Sequence, residues 1–204
     1  MENTIKNITY DALVIGGGIA GGEAALNLAV TGYKVLLVEK DLSVGGKMIM
    51  LSKVFPTLDC SACITTPKIS EISRHPNITI FTGSEVGNIR RVSDTGFVAK
   101  VTKNPRYVHV ADCTSCQLCE QACPVNVTDQ YQFGLVGRKA AFIPFSIASP
   151  KAAAIDIENC TLCGACEKVC PTNCIDFTME PETMNLHVRT VILATGFDLF
   201  DAKK

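Results

Sequence analysis

Eleven cysteines fall in this chain of 204 residues, and eight of them make two copies of one pattern. Cys113, Cys116, Cys119 and Cys123 are followed by Pro124, and Cys160, Cys163, Cys166 and Cys170 by Pro171, so each run fits C-x2-C-x2-C-x3-C-P. Spacing this close lets one tight loop deliver three thiolates to three irons of a cube, while the fourth cysteine points elsewhere. Where two such runs occur together, the fourth cysteine ligates the other cluster. The pattern predicts two [4Fe–4S] clusters with crossed ligation: Cys113, Cys116, Cys119 and Cys170 at one, and Cys160, Cys163, Cys166 and Cys123 at the other. Zinc knuckles also use C-x2-C pairs, but they do not require the third cysteine and the proline. Side-by-side clusters suit sequential one-electron transfer.

A second motif carries phosphate chemistry. Gly16-x-Gly18-x-x-Gly21 follows the apolar stretch DALVI (Asp11 to Ile15) and opens GGEAALNLAVTG, whose apolar residues recur at helical spacing until Gly32. The continuous run KVLLVEK (Lys34 to Lys40) reads as a strand buried on both faces, with Glu39 at its end, eighteen residues past Gly21. Together these predict one βαβ unit. Its glycines let the backbone approach a pyrophosphate at the helix N-terminus, and Glu39 is placed to accept hydrogen bonds from a ribose diol. Tight helix-on-strand packing alone is the simpler use of the same glycines. The fingerprint by itself does not separate FAD from NAD. Its place near the N-terminus, the Gly45-Gly46 turn and VILATG (Val191 to Gly196) resemble the FAD domain of two-dinucleotide-binding flavoproteins. That resemblance implies FAD, with candidate contacts at Gly16, Gly18, Gly21, Glu39, Lys40, Gly46, Lys47, Val86, Ala194, Thr195 and Gly196. No second glycine fingerprint occurs, which argues against a nicotinamide site of the chain's own.

Three cysteines remain: Cys60, Cys63 and Cys174. Cys60-Ser61-Ala62-Cys63 falls where flavin disulfide reductases carry a redox-active pair, so one reading is a dithiol exchanging electrons with flavin. A second makes the pair two ligands of a third iron–sulfur cluster, and a third makes them buried, inert thiols. Cys174, just past the second run, reads as a packing residue. His75, His109 and His187 share no recurring spacing and are assigned no chemistry.

The elements that must position these residues follow in order. NITIFTGSEVGNIRRV from Asn77, a turn at Ser93 to Gly96, and FVAKVTK predict a small antiparallel meander. The cysteine runs then dominate from Tyr107 to about Phe177, and HVRTVILATG (His187 to Gly196) returns to a buried strand. The expected fold class is α/β, a Rossmann-like FAD-binding domain of residues 1–106 and 179–204, with an inserted α+β two-cluster ferredoxin domain at 107–178. Nineteen Lys plus Arg against twenty Asp plus Glu leave no basic surface for nucleic acid or an anionic membrane. No leader-like pattern accompanies the cysteines, so cytoplasmic metal binding is expected rather than a secreted disulfide scaffold. The apolar stretch Ala12 to Val30 is broken by glycines and Glu23, which excludes it as a membrane span.

Taken in order, GGGIAGGEAALNLA, CSACITTP (Cys60 to Pro67), PNITIFTGSEV, PRYV, the two cysteine runs, RKAAFIPF and ILATGFDLFD resemble the A component of heterodisulfide reductase (HdrA) over nearly the whole chain. The resemblance implies a thioredoxin-reductase-like FAD domain interrupted by a two-cluster ferredoxin domain, working in a cytoplasmic hetero-oligomer with other Hdr-type subunits and an electron donor protein. In methanogens this family takes part in flavin-based electron bifurcation and heterodisulfide reduction, and relatives serve sulfate reducers and sulfur oxidisers. The sequence ends at Lys204, where longer members continue past ATGFD, so bifurcation is not expected of this chain alone. The expected role is an electron-transfer oxidoreductase subunit joining FAD and two clusters to thiol–disulfide chemistry on a partner. No residue reads as a general acid, base or nucleophile. The alternative is a flavin-free, polyferredoxin-like carrier or docking module.

Overall fold

The structure, a computed structural model, describes residues 9–93 and 96–197. Part of the turn expected at 93–96 and the outer ends of the expected nucleotide-binding domain, 1–8 and 198–204, lie outside the described residues. Strand β1 (Thr9–Ile15), helix α1 (Ile19–Val30) and strand β2 (Val35–Val38) form the βαβ unit, and all four residues of β2 are buried. Helix α1 stops where Gly32 takes φ +95°. There the Gly32 N–H donates to Ala29 O and the Tyr33 N–H to Leu28 O, closing the last carbonyls in a Schellman arrangement.

Beyond β2 come a 3-10 turn (Gly46–Met50) and a two-strand ribbon of β3 (Lys53–Val54) and β4 (Asp59–Cys60). Helix α2 (Ser61–Arg74) follows, then strands β5 (Ile78–Phe81), β6 (Ser84–Ser93) and β7 (Gly96–Lys103). Helix α2 holds Pro67 and buries one face, Ser61, Thr65, Ile69 and Ile72, so tertiary packing of that face must stabilise it. Ile69 and Ile72 supply that packing against α1, so closely that a Cβ on Gly22 would lie 2.7 Å from Ile72 Cδ1. Lys68 pairs with Glu23 at 2.6 Å along the same seam.

The main sheet runs β5-β2-β1-β12-β7-β6, where β12 spans Glu182–Leu193. NITIF is not the first strand of the meander, as the sequence pattern suggested. Strand β5 lies parallel beside β2, with Val35 opposite Ile78, because the α2 crossover returns it to the sheet as a second βαβ unit. The antiparallel part is β6, β7 and β12. Strand β12 belongs to both halves: Glu182 to Val188 pair antiparallel with β7, and His187 to Leu193 pair parallel with β1. Leu13, Leu36, Ala99, Val101 and Leu186 pack one face, and Val14, Ala25, Val35 and Leu37 the other.

The chain leaves the sheet after Lys103 and re-enters it at Glu182. The excursion is closed at its base by the Val108–Ile175 bridge, and the His109 N–H donates to Cys174 O at 2.8 Å. Inside it are two five-residue helices, α3 (Leu118–Ala122) and α4 (Ala165–Val169). Four short strands accompany them: β8 (Asn126–Thr128), β9 (Gly137–Lys139), β10 (Ala141–Phe142) and β11 (Ala154–Ile155). The stretch between the two cysteine runs docks back onto the sheet domain. Tyr131 stacks on Phe145 with ring centroids 4.9 Å apart and donates from its hydroxyl to Ile49 O at 2.9 Å. Ser149 N–H donates to Ser43 Oγ at 2.8 Å, and Val44 N–H to Ser149 O at 3.1 Å.

Candidate cofactor sites

The two cysteine runs fold into loops of matching geometry. Ser115 and Gln117 in the first, and Leu162 and Gly164 in the second, all take left-handed backbone conformations with φ between 54° and 69°. Alternating handedness turns successive backbone N–H groups to one side, an arrangement suited to anionic sulfur. Leu162 N–H points at Cys160 Sγ at 3.4 Å, and Ala153 N–H at Cys113 Sγ at 3.5 Å. Only one of the four left-handed positions is glycine, so the sequence did not advertise this geometry.

Proline sets the direction of the fourth cysteine. The residue before proline is driven out of the helical region. Cys123 (φ −72°, ψ 122°) and Cys170 (φ −75°, ψ 114°) accordingly end α3 and α4 in extended backbone and turn away from their own loops. Two cavities result. Cys113, Cys116 and Cys119 line one together with Cys170, and Cys160, Cys163 and Cys166 line the other together with Cys123. The remaining walls mix apolar and polar residues, Val108, Ile143 and Ile175 with Ser115, Gln117 and Thr172 in the first, and Val125, Ile155 and Phe177 with Thr161 in the second. A zinc site needs ligands converging at about 2.3 Å from one ion, whereas thiolates on four corners of a cube stay apart. The donor set fits the cluster.

Burial pushes the Cys119 thiol up to about 11 and raises that of Cys166. Cys174 is buried in the insert core and lines the first cavity, and burial takes its thiol up to about 11 as well. Its sulfur lies 3.5 Å from Cys170 Sγ. Burial also opposes ionisation of Cys170, yet hydrogen bonding from the Cys174 backbone and from Thr172 outweighs it and brings that thiol down to about 7. Cys174 thus shares a sulfur–sulfur hydrogen bond with Cys170 as well as filling space, a contact its position in the sequence did not reveal.

The glycine fingerprint sits at the C-terminal end of the parallel strands. A Cβ on Gly16 would lie 2.3 Å from Ala194 O, and one on Gly21 1.9 Å from Gly16 O, so strand, turn and helix meet with no room for a side chain. Gly18 is different: the nearest atom to a Cβ there is Gly46 Cα at 3.9 Å. No protein neighbour requires glycine at that position, whereas close approach by a pyrophosphate does. The cradle fits a dinucleotide. Ala194 N–H donates to Ile15 O at 2.8 Å, which lays Ala194, Thr195 and Gly196 beside the loop. Gly46 backs Gly18 from the other side, and Lys47 holds its ammonium 4.5 Å from the Phe197 ring centroid. Lys40 is exposed next to Glu39, and Val86 lies half-buried on β6, two residues beyond Ser84, whose N–H donates to Glu39 O.

Glu39 is only 5 % exposed and faces the loop. Its Oε2 accepts the Gly17 N–H at 2.6 Å and its Oε1 the Asp41 N–H at 2.9 Å. Burial raises its carboxyl above the usual range, and these bonds pull the other way. The carboxylate therefore braces the glycine loop from behind, beyond the ribose contact expected from sequence.

Cys60 and Cys63 are exposed, which overturns the reading of two buried thiols. Cys60 stands at the N-cap of α2 and Cys63 in its first turn. A hydrogen bond between the side chains lowers the Cys60 thiol and raises that of Cys63. Pro67 brings no N–H to the Cys63 carbonyl, so this turn is also freed from one helical bond. No two of the eleven cysteines form a disulfide. His75 caps the C-terminus of α2, and His109 Nε2 lies 3.5 Å from Asp176 Oδ2, both away from the glycine loop. No helix among the described residues is long and apolar enough to cross a membrane.

Comparison with known proteins agrees with this geometry. A family model described as FAD dependent oxidoreductase matches residues 11–63, and one described as 4Fe-4S dicluster domain matches 109–174. The chain is 48% identical over 199 residues to an iron-sulfur HdrA protein of the CoB–CoM heterodisulfide reductase of Methanopyrus kandleri, covering 97% of this chain and 30% of that protein. It is 43% identical to the corresponding protein of Methanocaldococcus jannaschii, with the same coverage. Against the HdrA of the ferredoxin:CoB-CoM heterodisulfide reductase of Methanosarcina mazei it is 40% identical, covering 100% of this chain and 26% of the relative. The chain thus spans under a third of the length of these relatives. Among solved structures, L-proline dehydrogenase from P. horikoshii matches at TM-score 0.43 and 25% identity, covering 49% of this chain and 20% of that one. T. acidophilum thioredoxin reductase matches at 0.40 and 23%, covering 46% and 31%. The chain belongs to the HdrA family of heterodisulfide reductases, and in it an FAD-binding domain carries an inserted domain for two [4Fe–4S] clusters.

Proposed function

We propose that this chain is an electron-transfer unit of a heterodisulfide-reductase-like complex, passing electrons between FAD and two [4Fe–4S] clusters toward thiol–disulfide chemistry on a partner subunit. The observation that supports it best is the pairing of three cysteines of each run with the fourth of the other around each cavity. When bound, FAD exchanges electrons in pairs or singly and the clusters singly, which is the redox chemistry the polypeptide lacks. The chain's own residues do the rest. Cys113, Cys116, Cys119 and Cys170 hold one cluster, and Cys160, Cys163, Cys166 and Cys123 the other. Gly16, Gly18 and Gly21 admit the pyrophosphate, Glu39 braces their loop, and Ala194 to Gly196 flank it. Lys40, Gly46, Lys47 and Val86 complete the contacts. The inserted domain is residues 107–178, and residues 1–106 and 179–204 form the FAD domain. Cys119, Cys123 and Cys166 are buried while Cys116 and Cys163 are exposed, so each cluster would have a buried and a solvent-facing side, and solvent exposure influences reduction potential.

The partners are other Hdr-type subunits and a protein electron donor, in a cytoplasmic hetero-oligomer. Cys60 and Cys63 serve as a redox dithiol or as two ligands of a third cluster. Anaerobic co-purification with partners, followed by iron, sulfide and flavin counts, tests the whole reading. About eight irons with FAD support it, and about twelve enlist Cys60 and Cys63 in a third cluster. Iron without any FAD leaves a flavin-free carrier, and zinc without sulfide removes the electron-transfer role.

A further inference from the structure

The two cysteine runs end alike and then diverge. Cys123 is followed by Pro124, Val125, Asn126 and Val127, and Cys170 by Pro171, Thr172, Asn173 and Cys174, so a hydroxyl and a thiol in the second run stand where the first has two valines. Because the fourth cysteines cross over, Thr172 and Cys174 are walls of the first cavity, beside Cys113, Cys116, Cys119 and Cys170. Cys170 Sγ lies 3.5 Å from Cys174 Sγ and 3.7 Å from Thr172 Oγ1. The second cavity presents the opposite to its crossing ligand. Cys123 Sγ stands 3.8 Å from Val125 O, a carbonyl oxygen, and Val127 is drawn into the β8–β9 ribbon opposite Arg138.

At the first cysteine of each run the two loops are matched. Each faces one backbone N–H, that of Ala153 at 3.5 Å from Cys113 Sγ and that of Leu162 at 3.4 Å from Cys160 Sγ. The contrast therefore sits at the fourth cysteine. A thiolate holding iron has no proton, so between Cys170 and its two neighbours only the Cys174 thiol and the Thr172 hydroxyl can donate. Cys174 is 4 % exposed in the insert core, where a thiol keeps its proton. A carbonyl oxygen only accepts, so Val125 O offers the Cys123 thiolate no hydrogen bond.

We infer that Cys174 and Thr172 are positioning residues acting through Cys170, donating S–H and O–H hydrogen bonds to its thiolate so that the cluster of Cys113, Cys116, Cys119 and Cys170 is reduced before the other. The inference rests on the crossed cluster assignment proposed above. Reduction adds negative charge that the ligand sulfurs share, and a hydrogen bond aimed at one of them favours the more charged form, which raises the potential. Each reduction takes one electron from a reduced iron–sulfur or flavin donor, which is oxidised by one electron. The S–H and O–H bonds stay intact and no proton moves.

The test is a potentiometric titration, followed by electron paramagnetic resonance, of the full chain purified anaerobically with its partners, with iron counted in every variant. Wild type shows two separable one-electron steps. In C174A the higher step falls about tenfold in its reduction equilibrium, about 59 mV, while the lower step stays. C174S restores a donor at the same position and returns the higher step to within about threefold of wild type, about 28 mV. T172V exchanges the hydroxyl for a methyl of similar shape and lowers the higher step by about threefold. A fall in C174S as large as that in C174A overturns the inference, because Cys174 would then serve packing alone. Movement of the lower step in place of the higher, or one shared potential in wild type, overturns it too. If C174A fails to load iron, T172V decides: a loaded T172V with an unmoved higher step overturns the inference, and a lowered one supports it. An iron count well short of about eight in wild type instead removes the cluster assignment itself, a failure separate from that of Cys174 and Thr172.

Discussion

The sheet domain and the insert are held together by opposite means. The sheet domain has strands hydrogen-bonded over up to seven register pairs and two packed faces of Val, Leu, Ile and Ala. The insert has two helices of five residues and strands of two or three. Its core is built largely from its own cysteines, with Cys119, Cys123, Cys166 and Cys174 buried among a few alanines and Ile155 and Ile175. A small core of that kind buries too little apolar surface to offset the ordering of its chain. The difference teaches that the flavin is a guest of a sheet domain packed without it, whereas the clusters are structural members of their domain.

The sharpest way to break that comparison is to remove the iron. Chelation under reducing conditions should abolish amide hydrogen-exchange protection across the insert while β1, β2 and β12 keep theirs. An insert that stays protected without iron would place both domains in the same class. Removing flavin alone should leave protection of both domains within about twofold outside the glycine loop.

Crossed ligation is the next largest effect. With the crossed ligation proposed, C116S and C170S should each cost about four irons, and the double variant C116S/C170S no more, since both would then serve one site. The pair C116S/C123S should cost about eight. If ligation stays within each run, the two double variants exchange outcomes, so iron analysis separates the arrangements without a structure.

Within the sheet domain, the glycines divide by what surrounds them. Gly21→Ala forces a Cβ to 1.9 Å from Gly16 O and should destabilise the flavin-free protein by about 1–3 kcal/mol in urea melts. Gly18→Ala meets no atom closer than 3.9 Å, so stability should change by no more than about 0.5 kcal/mol while flavin retention drops. Equal loss of stability in both variants would make the fingerprint a packing device.

The smallest effect concerns the exposed pair. Because the bond from Cys63 lowers the Cys60 thiol, the Cys60 thiolate fraction at any pH below its ordinary value is larger. Alkylation should therefore begin at Cys60, with a pH midpoint below that of a free cysteine, and C63S should shift the midpoint upward. Peptide mapping after brief iodoacetamide treatment measures this. A pair unreactive in protein purified with its partners, yet reactive once iron is removed, would sharpen the choice toward cluster ligands.

Much of the site was legible because its chemistry depends on local spacing. One C-x2-C-x2-C loop and one G-x-G-x-x-G turn each fit within a dozen residues, so identity and interval are enough. Helix α2 was not legible, since Thr65, Thr66 and Pro67 argue against a helix and only the contact of Ile69 and Ile72 with α1 outweighs them. The membership of β5 was hidden for a related reason: ITIF fits either a meander or a parallel edge, and the α2 crossover decides between them. Nor did any local pattern mark Arg106, whose side chain donates to Leu42 O in the sheet domain while its carbonyl accepts the Ile155 N–H of the insert.

The sequence by itself determined which atoms can hold iron and which turn can admit a phosphate, because thiolate spacing and the absence of side chains are properties of short segments. Tertiary structure alone decided which cysteines share a cavity and that Glu39 braces the loop from behind. Those are relations between residues distant in the chain, created only when burial removes water and leaves each charge and donor to the partners the fold supplies.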